Sequence, residues 1–295
     1  MAVQIRPSGA ACGAEVAGVD MHADLPAADI AALEQALLDH GVLVFRDQPL
    51  TPHALASFSA RFGPLQPHVQ RAYQHPDVPE IVVMTNRKAD GTFDEAGARR
   101  GAIENTRDGW HSDLSYDPVP AKATLLHAQA LPGSGGNTCF TNARRAFADL
   151  PLDIKQRVIG RTAAFTYGGH QRNQSAAKAA SALDASGKAT SQAEHPVINA
   201  HVATGEPAIY VNPLITTAIL EVDHADSEAL LETLFDALDR PAYRFEHEWR
   251  LGDTLMWDNR GGIMHTGRLD YPRDQLRQFI RTTVSGAAIE PYRPD

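Results

Sequence analysis

Apolar residues recur at helical spacing in several short stretches of the chain. In the first, residues 29–41, Asp29 is placed to cap the start of a helix and Gly41 to end it. In the second, residues 51–63, Thr51 and the proline after it are residue types that favour a helix start. Similar patterns predict helices at residues 142–150, 152–159 and 226–241.

Short apolar or alternating runs between these stretches predict strands. The run 42–45 is continuously apolar, as in a buried strand, whereas residues 243–253 alternate with a period of two. The other predicted strands are residues 80–84, 122–131, 138–142, 208–212, 254–257 and 277–284. Many short strands with a few flanking helices predict a mainly β protein, with residues 1–295 forming a single domain on a β-barrel or jelly roll.

Two polar stretches interrupt this pattern. Residues 86–109 are polar and contain glycine, so they are predicted to form a loop. Residues 170–194 are rich in Ala, Ser, Gln and Lys and have few large apolar side chains, a composition that predicts a mobile excursion from the domain. The excursion is either a solvated surface segment or a lid over a site, and the composition does not choose between them.

Composition and charge narrow the class of protein. The net charge of −9 at pH 7 argues against a nucleic-acid-binding face, which is usually basic. Two cysteines, Cys12 and Cys139, are too few for a disulfide framework, which fits a reducing compartment. The first residues lack the layout of a signal peptide, and no apolar run approaches the length of a membrane span. We therefore expect a soluble cytoplasmic protein that binds neither nucleic acid nor a membrane.

The pattern His-x-Asp occurs four times in a chain with 13 histidines, at residues 22–24, 75–77, 111–113 and 224–226. Three of these pairs lie beside a predicted helix or contain a proline, so their aspartates are expected to cap helices or form turns. His111 and Asp113 differ because they follow a glycine-containing loop and enter a stretch that can be extended. On an extended chain, residues i and i+2 point to one face, so both side chains can reach the same metal ion.

An imidazole and a carboxylate are two of the three ligands in the 2-His-1-carboxylate site of non-haem Fe(II) enzymes. The third must be a histidine from elsewhere, and His265, in GDTLMWDNRGGIMHTGRLDY, is the best candidate. Taken alone, His265 has the surroundings of an ordinary strand or loop histidine. The same residue types can also hold zinc in a hydrolase, so the choice of metal stays open at this point.

Two arginines on one predicted strand indicate a second kind of site. In RQFIRTTV (277–284), Arg277, Phe279 and Arg281 alternate and therefore share a face. If Phe279 faces the core, both guanidinium groups face inward, where they are costly unless they meet anions. Such an interior would bind carboxylates through charge-assisted hydrogen bonds. In the opposite orientation both arginines lie in solvent, and the strand alone does not decide.

Five segments, in order along the chain, carry a resemblance to a known family. They are GAEVAGVD (13–20), HGVLVFRDQPLTPHALASFSARFGPL (40–65), GWHSDLSYDPVPAKATLLHAQALPGSGGNTCFTN (109–142), HPVINAHVATGEPAIYVN (195–212) and the stretch from GDTLMWDNRGGIMHTGRLDY to LRQFIRTTVSG (252–286). Together they resemble the taurine dioxygenase / 2,4-D dioxygenase (TauD/TfdA) family of Fe(II)- and 2-oxoglutarate-dependent oxygenases. The resemblance implies a double-stranded β-helix core, which is a cupin-like jelly roll, and the use of Fe(II), 2-oxoglutarate and O2.

The resemblance also implies roles for individual residues. His111, Asp113 and His265 correspond to the iron ligands. Arg277 corresponds to the residue that binds the distal carboxylate of 2-oxoglutarate, and Thr138 to a residue that helps to hold it. Members of related enzymes that halogenate lack the carboxylate ligand, so the presence of Asp113 favours oxygenation.

Four further residues correspond to substrate-binding positions. Arg281 aligns with the arginine that several family members use to bind the anionic group of the substrate. The resemblance places His68, Tyr73 and Tyr167 in the wall of the substrate pocket.

The activity that the resemblance implies is hydroxylation of a C–H bond in a small anionic organic substrate, with release of succinate and CO2. The substrate stays open among a sulfonate, a carboxylate such as a phenoxyalkanoate, a sulfate ester and an amino-acid derivative. Desaturation or another biosynthetic oxidation is an alternative outcome, and a non-catalytic metal barrel that binds anions is an alternative of another class. Relatives are often dimers or tetramers, so a homo-oligomer is expected.

Overall fold

Short strands form most of the fold, and helices lie on its flanks. The computed structural model describes residues 3–67, 71–99, 104–167 and 192–294. Its strands are β1 (Gln4–Pro7), β2 (Ala14–Ala17), β3 (Val42–Phe45), β4 (Val82–Thr85), β5 (Ala121–Ala130), β6 (Thr138–Asn142), β7 (Thr162–Thr166), β8 (Gln192–Pro196), β9 (Ile198–Ala200), β10 (Pro207–Ile209), β11 (Thr216–Ile219), β12 (Arg244–His247), β13 (Thr254–Asp258), β14 (Ile263–Gly267) and β15 (Gln278–Ser285). Its α-helices are α1 (Ala27–His40), α2 (Pro52–Ser59), α3 (Glu95–Ala98), α4 (Thr106–Gly109), α5 (Ala143–Ala148), α6 (Leu152–Val158) and α7 (His224–Leu238), and 3-10 helices lie at Ala60–Phe62, Arg71–Tyr73 and Pro241–Tyr243.

Strands from the two ends of the chain alternate in the two sheets that carry the site. The seven-stranded sheet has the order β1-β2-β3-β13-β5-β15-β4, and a three-stranded sheet has the order β12-β6-β14. All pairs in these two sheets are antiparallel except β2 with β3. This alternation of early and late strands is the arrangement expected of a double-stranded β-helix, and the predicted mainly β fold is confirmed.

The two sheets pack against each other through apolar side chains. Phe140 of β6 lies against Trp257 of β13 with ring centroids 5.7 Å apart, and Phe279 of β15 is fully buried in the same cluster. The other face of the large sheet packs on α1 and α2, through residues such as Leu37 and Phe58. Because β3 is covered on both faces, all four of its residues are buried, which explains its continuous apolar run.

The helix ends follow local sequence signals in most cases. Gly41 ends α1 in the left-handed conformation at φ 72°, and Thr51 caps α2 by accepting a hydrogen bond from the backbone N–H of Ala54. The predicted Asp29 cap is wrong, because α1 begins after Pro26 and Asp29 lies in the first turn. Among the described helices, none combines the length and the apolar character needed to cross a bilayer.

Several elements differ from the prediction. The strand pattern did not predict β1, β2, β7, β8, β9, β11 or β14, and the predicted loop 86–109 contains the two short helices α3 and α4. Strand β8 occupies the end of the predicted excursion at 170–194, while residues 170–191 lie outside the described residues, so the mobility of that segment stays a prediction. The two cysteines, Cys12 and Cys139, are buried and do not form a disulfide.

Candidate metal centre

A short antiparallel bridge brings the two candidate histidines together. The backbone N–H of His111 donates to the carbonyl of His265 at 3.1 Å, and the N–H of His265 donates back to the carbonyl of His111 at 2.9 Å. The two imidazole rings lie side by side with centroids 4.1 Å apart. His265 is held in register by β14, where it pairs with Phe140 of β6.

Asp113 completes a compact group of potential ligands. Its Oδ2 lies 3.3 Å from Nε2 of His265, and its Oδ1 lies 3.9 Å from Nε2 of His111. One ligand atom from each of the three residues lies within 4.8 Å of the others, and all three residues are buried. Within the described ranges, no other group of three or more His, Cys, Asp or Glu side chains has this geometry.

The other three His-x-Asp pairs do not join this group. In one of them, Nδ1 of His75 accepts a hydrogen bond from the N–H of Asp77 within a turn, as predicted. Asp24 forms a salt bridge with an arginine side chain and does not cap α1. Asp226 lies inside the first turn of α7, and the cap of that helix is Asp223, so the predicted start was two residues late.

The protonation of the group suits a divalent cation. Burial, with a contribution from His265, lowers the pKa of His111 to about 3, so its ring is neutral at neutral pH. The Nδ1 of His111 lies 2.8 Å from the carbonyl of Gly109 and, as a donor to it, leaves the Nε2 lone pair free for a metal. Burial would raise the pKa of Asp113, but Arg281 and His265 outweigh it and hold that pKa well below its usual range. The Nε2 of His265 is buried and has no hydrogen-bond partner in the described part of the chain, as expected for an atom that binds metal.

Side chains behind Asp113 fix its carboxylate and backbone. Thr124 donates to Oδ2 of Asp113 at 2.6 Å, and Oδ1 of Asn259 accepts the backbone N–H of Asp113 at 3.1 Å. The Asn259 amide also donates to the Thr124 hydroxyl at 3.0 Å, and Ser112 donates to the Asn259 carbonyl. Sequence reasoning missed Asn259 and Thr124. The available signal was the segment WDNR (257–260), to which no chemistry was assigned.

Both arginines lie on the inner side, Arg281 within β15 and Arg277 one residue before its start, which decides between the two orientations left open by the sequence. Phe279 is fully buried, and Nη2 of Arg281 forms an ion pair with Oδ1 of Asp113 at 2.8 Å. The Nε of Arg281 is also buried and has no hydrogen-bond partner among the described residues. Arg281 therefore lies beside the potential metal ligands with part of its donor edge free.

Arg277 is not paired with a carboxylate in the part of the chain that the structure describes. Its Cζ lies 4.3 Å from the ring centroid of Phe279 and 5.7 Å from that of Tyr271, and its Nη2 donates to the carbonyl of Gly136 at 2.9 Å. Burial lowers its pKa to about 10. No carboxylate in the described part of the chain lies within ion-pair distance of it, so a ligand carboxylate would compensate a charge that the protein leaves unmatched.

Thr138 belongs to the same corner of the core. It begins β6 two residues after Gly136, and its Oγ1 accepts a hydrogen bond from Nε1 of Trp249 at 3.1 Å. Gly136 has φ 72°, and a Cβ on it would lie 2.9 Å from Nε of Arg277, so glycine is required for the arginine to approach this turn. The predicted pair Thr138 and Arg277 is thus joined through residues 136–138.

Of the residues predicted to line the wall of the substrate pocket, Tyr167 and Tyr73 lie in the described part of the chain. Tyr167 packs edge-on against Tyr116 with ring centroids 4.7 Å apart. Burial and the neighbouring Tyr167 raise the pKa of Tyr116, which is also close enough to Arg281 to feel its charge. Tyr73 ends a 3-10 helix, and the next residue bridges Val82, the β4 partner of Arg281. Sequence reasoning missed Tyr116, although it follows Asp113 by three residues. His68 lies outside the described residues.

Two histidines and one aspartate inside a double-stranded β-helix define the class of non-haem Fe(II) oxygenases. The model of the taurine catabolism dioxygenase TauD, TfdA family matches residues 4–283, and the chain belongs to this family. It is an Fe(II)- and 2-oxoglutarate-dependent dioxygenase that uses O2, and the predicted cupin-like core is confirmed.

Individual relatives cover nearly the whole chain. The chain is 32% identical to (S)-phenoxypropionate/alpha-ketoglutarate-dioxygenase of Delftia acidovorans over 97% of this chain and 98% of the relative. It is 31% identical to pentalenolactone F synthase of Streptomyces avermitilis over 98% and 96%. Among solved structures, a taurine dioxygenase from Burkholderia xenovorans matches with a TM-score of 0.79 and 28% identity, over 99% of this chain and 95% of that one. Alpha-ketoglutarate, in the name of the Delftia acidovorans enzyme, is another name for 2-oxoglutarate.

Proposed function

We propose that this enzyme hydroxylates a C–H bond of a small organic anion and converts 2-oxoglutarate to succinate and CO2. The observation that carries the proposal is a pair of arginines at β15: Arg281, in the strand, lies 2.8 Å from Asp113, and Arg277, one residue before the strand, has no carboxylate partner among the described residues. An enclosed guanidinium group without an anion is costly, and Arg277 has no carboxylate partner among the described residues, which supports binding of the distal carboxylate of 2-oxoglutarate there. Arg281 is paired with Asp113 but keeps a buried Nε without a partner in the described part of the chain, which supports binding of the substrate anion at that edge.

The metal site consists of His111, Asp113 and His265. Two imidazole nitrogens and one carboxylate oxygen would hold Fe(II) and would leave its other ligand positions to the co-substrates. Iron with 2-oxoglutarate and O2 supplies the oxidising chemistry when bound. The task of the protein is then to hold one end of each organic acid at a fixed distance from the metal.

Arg277 and Thr138 hold the distal carboxylate of 2-oxoglutarate. Arg277 offers a planar set of donors in a water-poor surrounding, where a charge-assisted hydrogen bond is stronger than in water. Thr138 adds a hydroxyl from the adjacent strand. Since Arg277 is fixed by the carbonyl of Gly136 and by the ring of Phe279, its position does not depend on the ligand.

Arg281 binds the anionic group of the substrate and so selects which carbon faces the metal. Tyr116 and Tyr167, whose rings pack edge-on, are the aromatic residues that we assign to the wall of the substrate pocket. The family resemblance alone supports Tyr73 and His68 as further substrate-binding residues. The relatives named for phenoxypropionate and taurine support a carboxylate or a sulfonate, and a sulfate ester presents the same charge to Arg281. The relative named pentalenolactone F synthase supports a second candidate, a biosynthetic oxidation with the same cofactors.

The test of the cofactor assignment needs no substrate. Fe(II) is added to metal-free protein under anaerobic conditions, followed by 2-oxoglutarate, and the weak visible charge-transfer band of the chelate is recorded. We expect the wild-type protein to show the band and His265→Ala to lose it. In Arg277→Ala, a higher concentration of 2-oxoglutarate should be needed to reach the same band intensity. The control is His201→Ala, which alters a buried histidine that bonds Thr204 instead of the metal group. Iron-loaded wild-type protein without a band would contradict the assignment.

The test of the substrate class measures succinate release with O2 in the presence of (S)-phenoxypropionate, taurine and an alkyl sulfate. We expect at least one of these anions to stimulate release and to be hydroxylated itself. A neutral compound of similar size, such as the amide of phenoxypropionate, should stimulate much less. Equal stimulation by the neutral amide would contradict the role of Arg281.

A further inference from the structure

We propose that Trp249 is a positioning residue for 2-oxoglutarate, because it contacts the supports of both groups that bind the distal carboxylate. It fixes the hydroxyl of Thr138 by a hydrogen bond and packs against Phe279, the ring beneath Arg277. The inference rests on the proposed roles of Thr138 and Arg277. Trp249 itself belongs neither to the metal group nor to the residues that the sequence predicted for the site.

The hydrogen bond sets the direction of the Thr138 hydroxyl. The indole Nε1–H of Trp249 can only donate, so at 3.1 Å it makes Oγ1 of Thr138 an acceptor. The proton of the hydroxyl is then left for another partner, and Thr138 donates it to no other group of the described residues. A hydroxyl in this state is ready to donate to a carboxylate, whereas a freely rotating one must first be ordered.

The packing of Trp249 against Phe279 fixes the position of the Arg277 guanidinium group, which lies over the Phe279 ring. The rings of Trp249 and Phe279 have centroids 4.7 Å apart at an interplanar angle of 68°, an edge-to-face contact. Cζ of Arg277 lies over Phe279 at 4.3 Å from its centroid. A change in the position of the indole would therefore shift both the hydroxyl and the guanidinium toward or away from the same carboxylate.

A buried polar network holds Trp249 in place from the other side. The ring of His247 lies edge-on to Trp249 with centroids 4.8 Å apart at 85°. Nε2 of His247 bonds Oδ2 of Asp253 at 3.0 Å, and the same carboxylate accepts bonds from Arg46 and from the backbone N–H of Arg250. Since Asp253 and His247 are both buried, this network is rigid, and Trp249 transmits its position to the co-substrate pocket.

The variant that separates this role from simple core filling is Trp249→Phe, which keeps an aromatic ring and removes the donor. The dissociation constant of 2-oxoglutarate is measured from the visible band of the anaerobic Fe(II) complex. We expect 2-oxoglutarate to bind about 3- to 10-fold more weakly, the range that one neutral hydrogen bond gives. The affinity for Fe(II) alone, measured by calorimetry, should stay unchanged.

Two further measurements give the result its specificity. First, 2-oxobutyrate lacks the distal carboxylate, so its affinity should be the same in Trp249→Phe and wild-type protein. Second, Trp249→Phe in a Thr138→Val background should cost no further 2-oxoglutarate affinity, because the hydroxyl that it orients is gone. Tyr243→Phe is the matched control: it removes the hydroxyl of another buried aromatic residue, which bonds Asp149 away from this pocket.

The outcomes distinguish the inference from the proposal beneath it. If Thr138→Val weakens 2-oxoglutarate binding while Trp249→Phe does not, the positioning role is wrong. An equal loss of 2-oxobutyrate affinity in Trp249→Phe would also overturn it, since that result indicates a general disturbance of the pocket. If neither Thr138→Val nor Arg277→Gln weakens 2-oxoglutarate binding, the assignment of the co-substrate site itself fails.

Discussion

Nη2 of Arg281 forms an ion pair with Oδ1 of Asp113 at 2.8 Å. The guanidinium that we assign to the substrate is thus paired with the carboxylate that we assign to the metal. One side of the guanidinium is fixed by this ion pair, and its buried Nε has no hydrogen-bond partner among the described residues. A substrate anion that binds the free edge of the Arg281 guanidinium would therefore lie at a fixed distance from the metal, and the contact between Arg281 and Asp113 would set that distance.

Replacement of Arg281 by glutamine should separate charge from hydrogen bonding. Glutamine retains a donor for Asp113 but carries no charge, so we expect the KM of the best anionic substrate to rise about tenfold or more, because a hydrogen bond to a charged group contributes about 1.5–3 kcal/mol. The 2-oxoglutarate affinity should change by less than about twofold, since we assign the binding of that acid to Arg277. Both constants are obtained from succinate release and anaerobic titration.

The matched control for this variant is Arg157→Gln, which removes an exposed arginine paired with Asp226. It should leave both constants unchanged, because exposed ion pairs contribute little. An Arg281→Gln enzyme that keeps the wild-type KM for the anion would show that the substrate binds elsewhere.

Asn259 should matter for metal affinity although it does not touch the metal group's ligand atoms. Its amide bonds both the backbone N–H of Asp113 and the hydroxyl of Thr124. Removing a residue that is hydrogen-bonded to a metal ligand typically lowers the metal affinity by about 10- to 100-fold. We expect Asn259→Ala to weaken Fe(II) binding by a factor in this range, measured by anaerobic calorimetry. Asn199→Ala is the comparison, since Asn199 bonds the same turn through the carbonyl of Arg260 without contacting Asp113. Equal losses in the two variants would point to general damage to the turn.

The sequence predicted the parts of the site that repeat a local pattern. The side chains of His111 and Asp113 were predicted to share a face because they are two residues apart, and the inward orientation of Arg277 and Arg281 followed if Phe279 faced the core. That condition could not be settled from the strand, since Ile280 on the other face is equally buried. Asn259 bonds a residue 146 positions away, and no local pattern connects two such residues.

The fold could be predicted where strands are covered on both faces and not where they are half exposed. The apolar runs of β3 and β13 were recognised because burial on both faces removes polar residues. Strand β7 alternates buried and partly exposed residues over only five positions, in which alanine and threonine give a weak signal. Pairing with β8 and β11 orders it, and such partners come from distant parts of the chain.

Gly136 should be needed for co-substrate binding and not only for the turn. A Cβ at this position would lie 2.9 Å from Nε of Arg277, so Gly136→Ala must displace the guanidinium. We expect a clear loss of 2-oxoglutarate affinity in the anaerobic titration. Gly160→Ala is the matched control, because Gly160 has a similar φ of 77° but no atom within 4 Å of the added Cβ. Gly160→Ala should lower the free energy of unfolding through backbone strain and leave the 2-oxoglutarate affinity unchanged. Similar 2-oxoglutarate affinities in the wild type, Gly136→Ala and Gly160→Ala would contradict the role of Gly136.

The stability of the metal-free protein should fall as the pH is lowered from about 6.5 to 4, in part because of His127. Burial lowers the pKa of His127 to about 4 in the folded protein, against about 6.5 in an unfolded chain. Between these values the unfolded state binds more protons, so the contribution of His127 is fully present above pH 6.5 and is lost toward pH 4, by up to about 1.4 kcal/mol per pH unit. His127→Gln should flatten the dependence of the free energy of unfolding on pH, measured by urea denaturation at several pH values. His53→Gln, which alters an exposed histidine, should run parallel to the wild type. A parallel curve for His127→Gln as well would show that His127 does not resist protonation in the folded state.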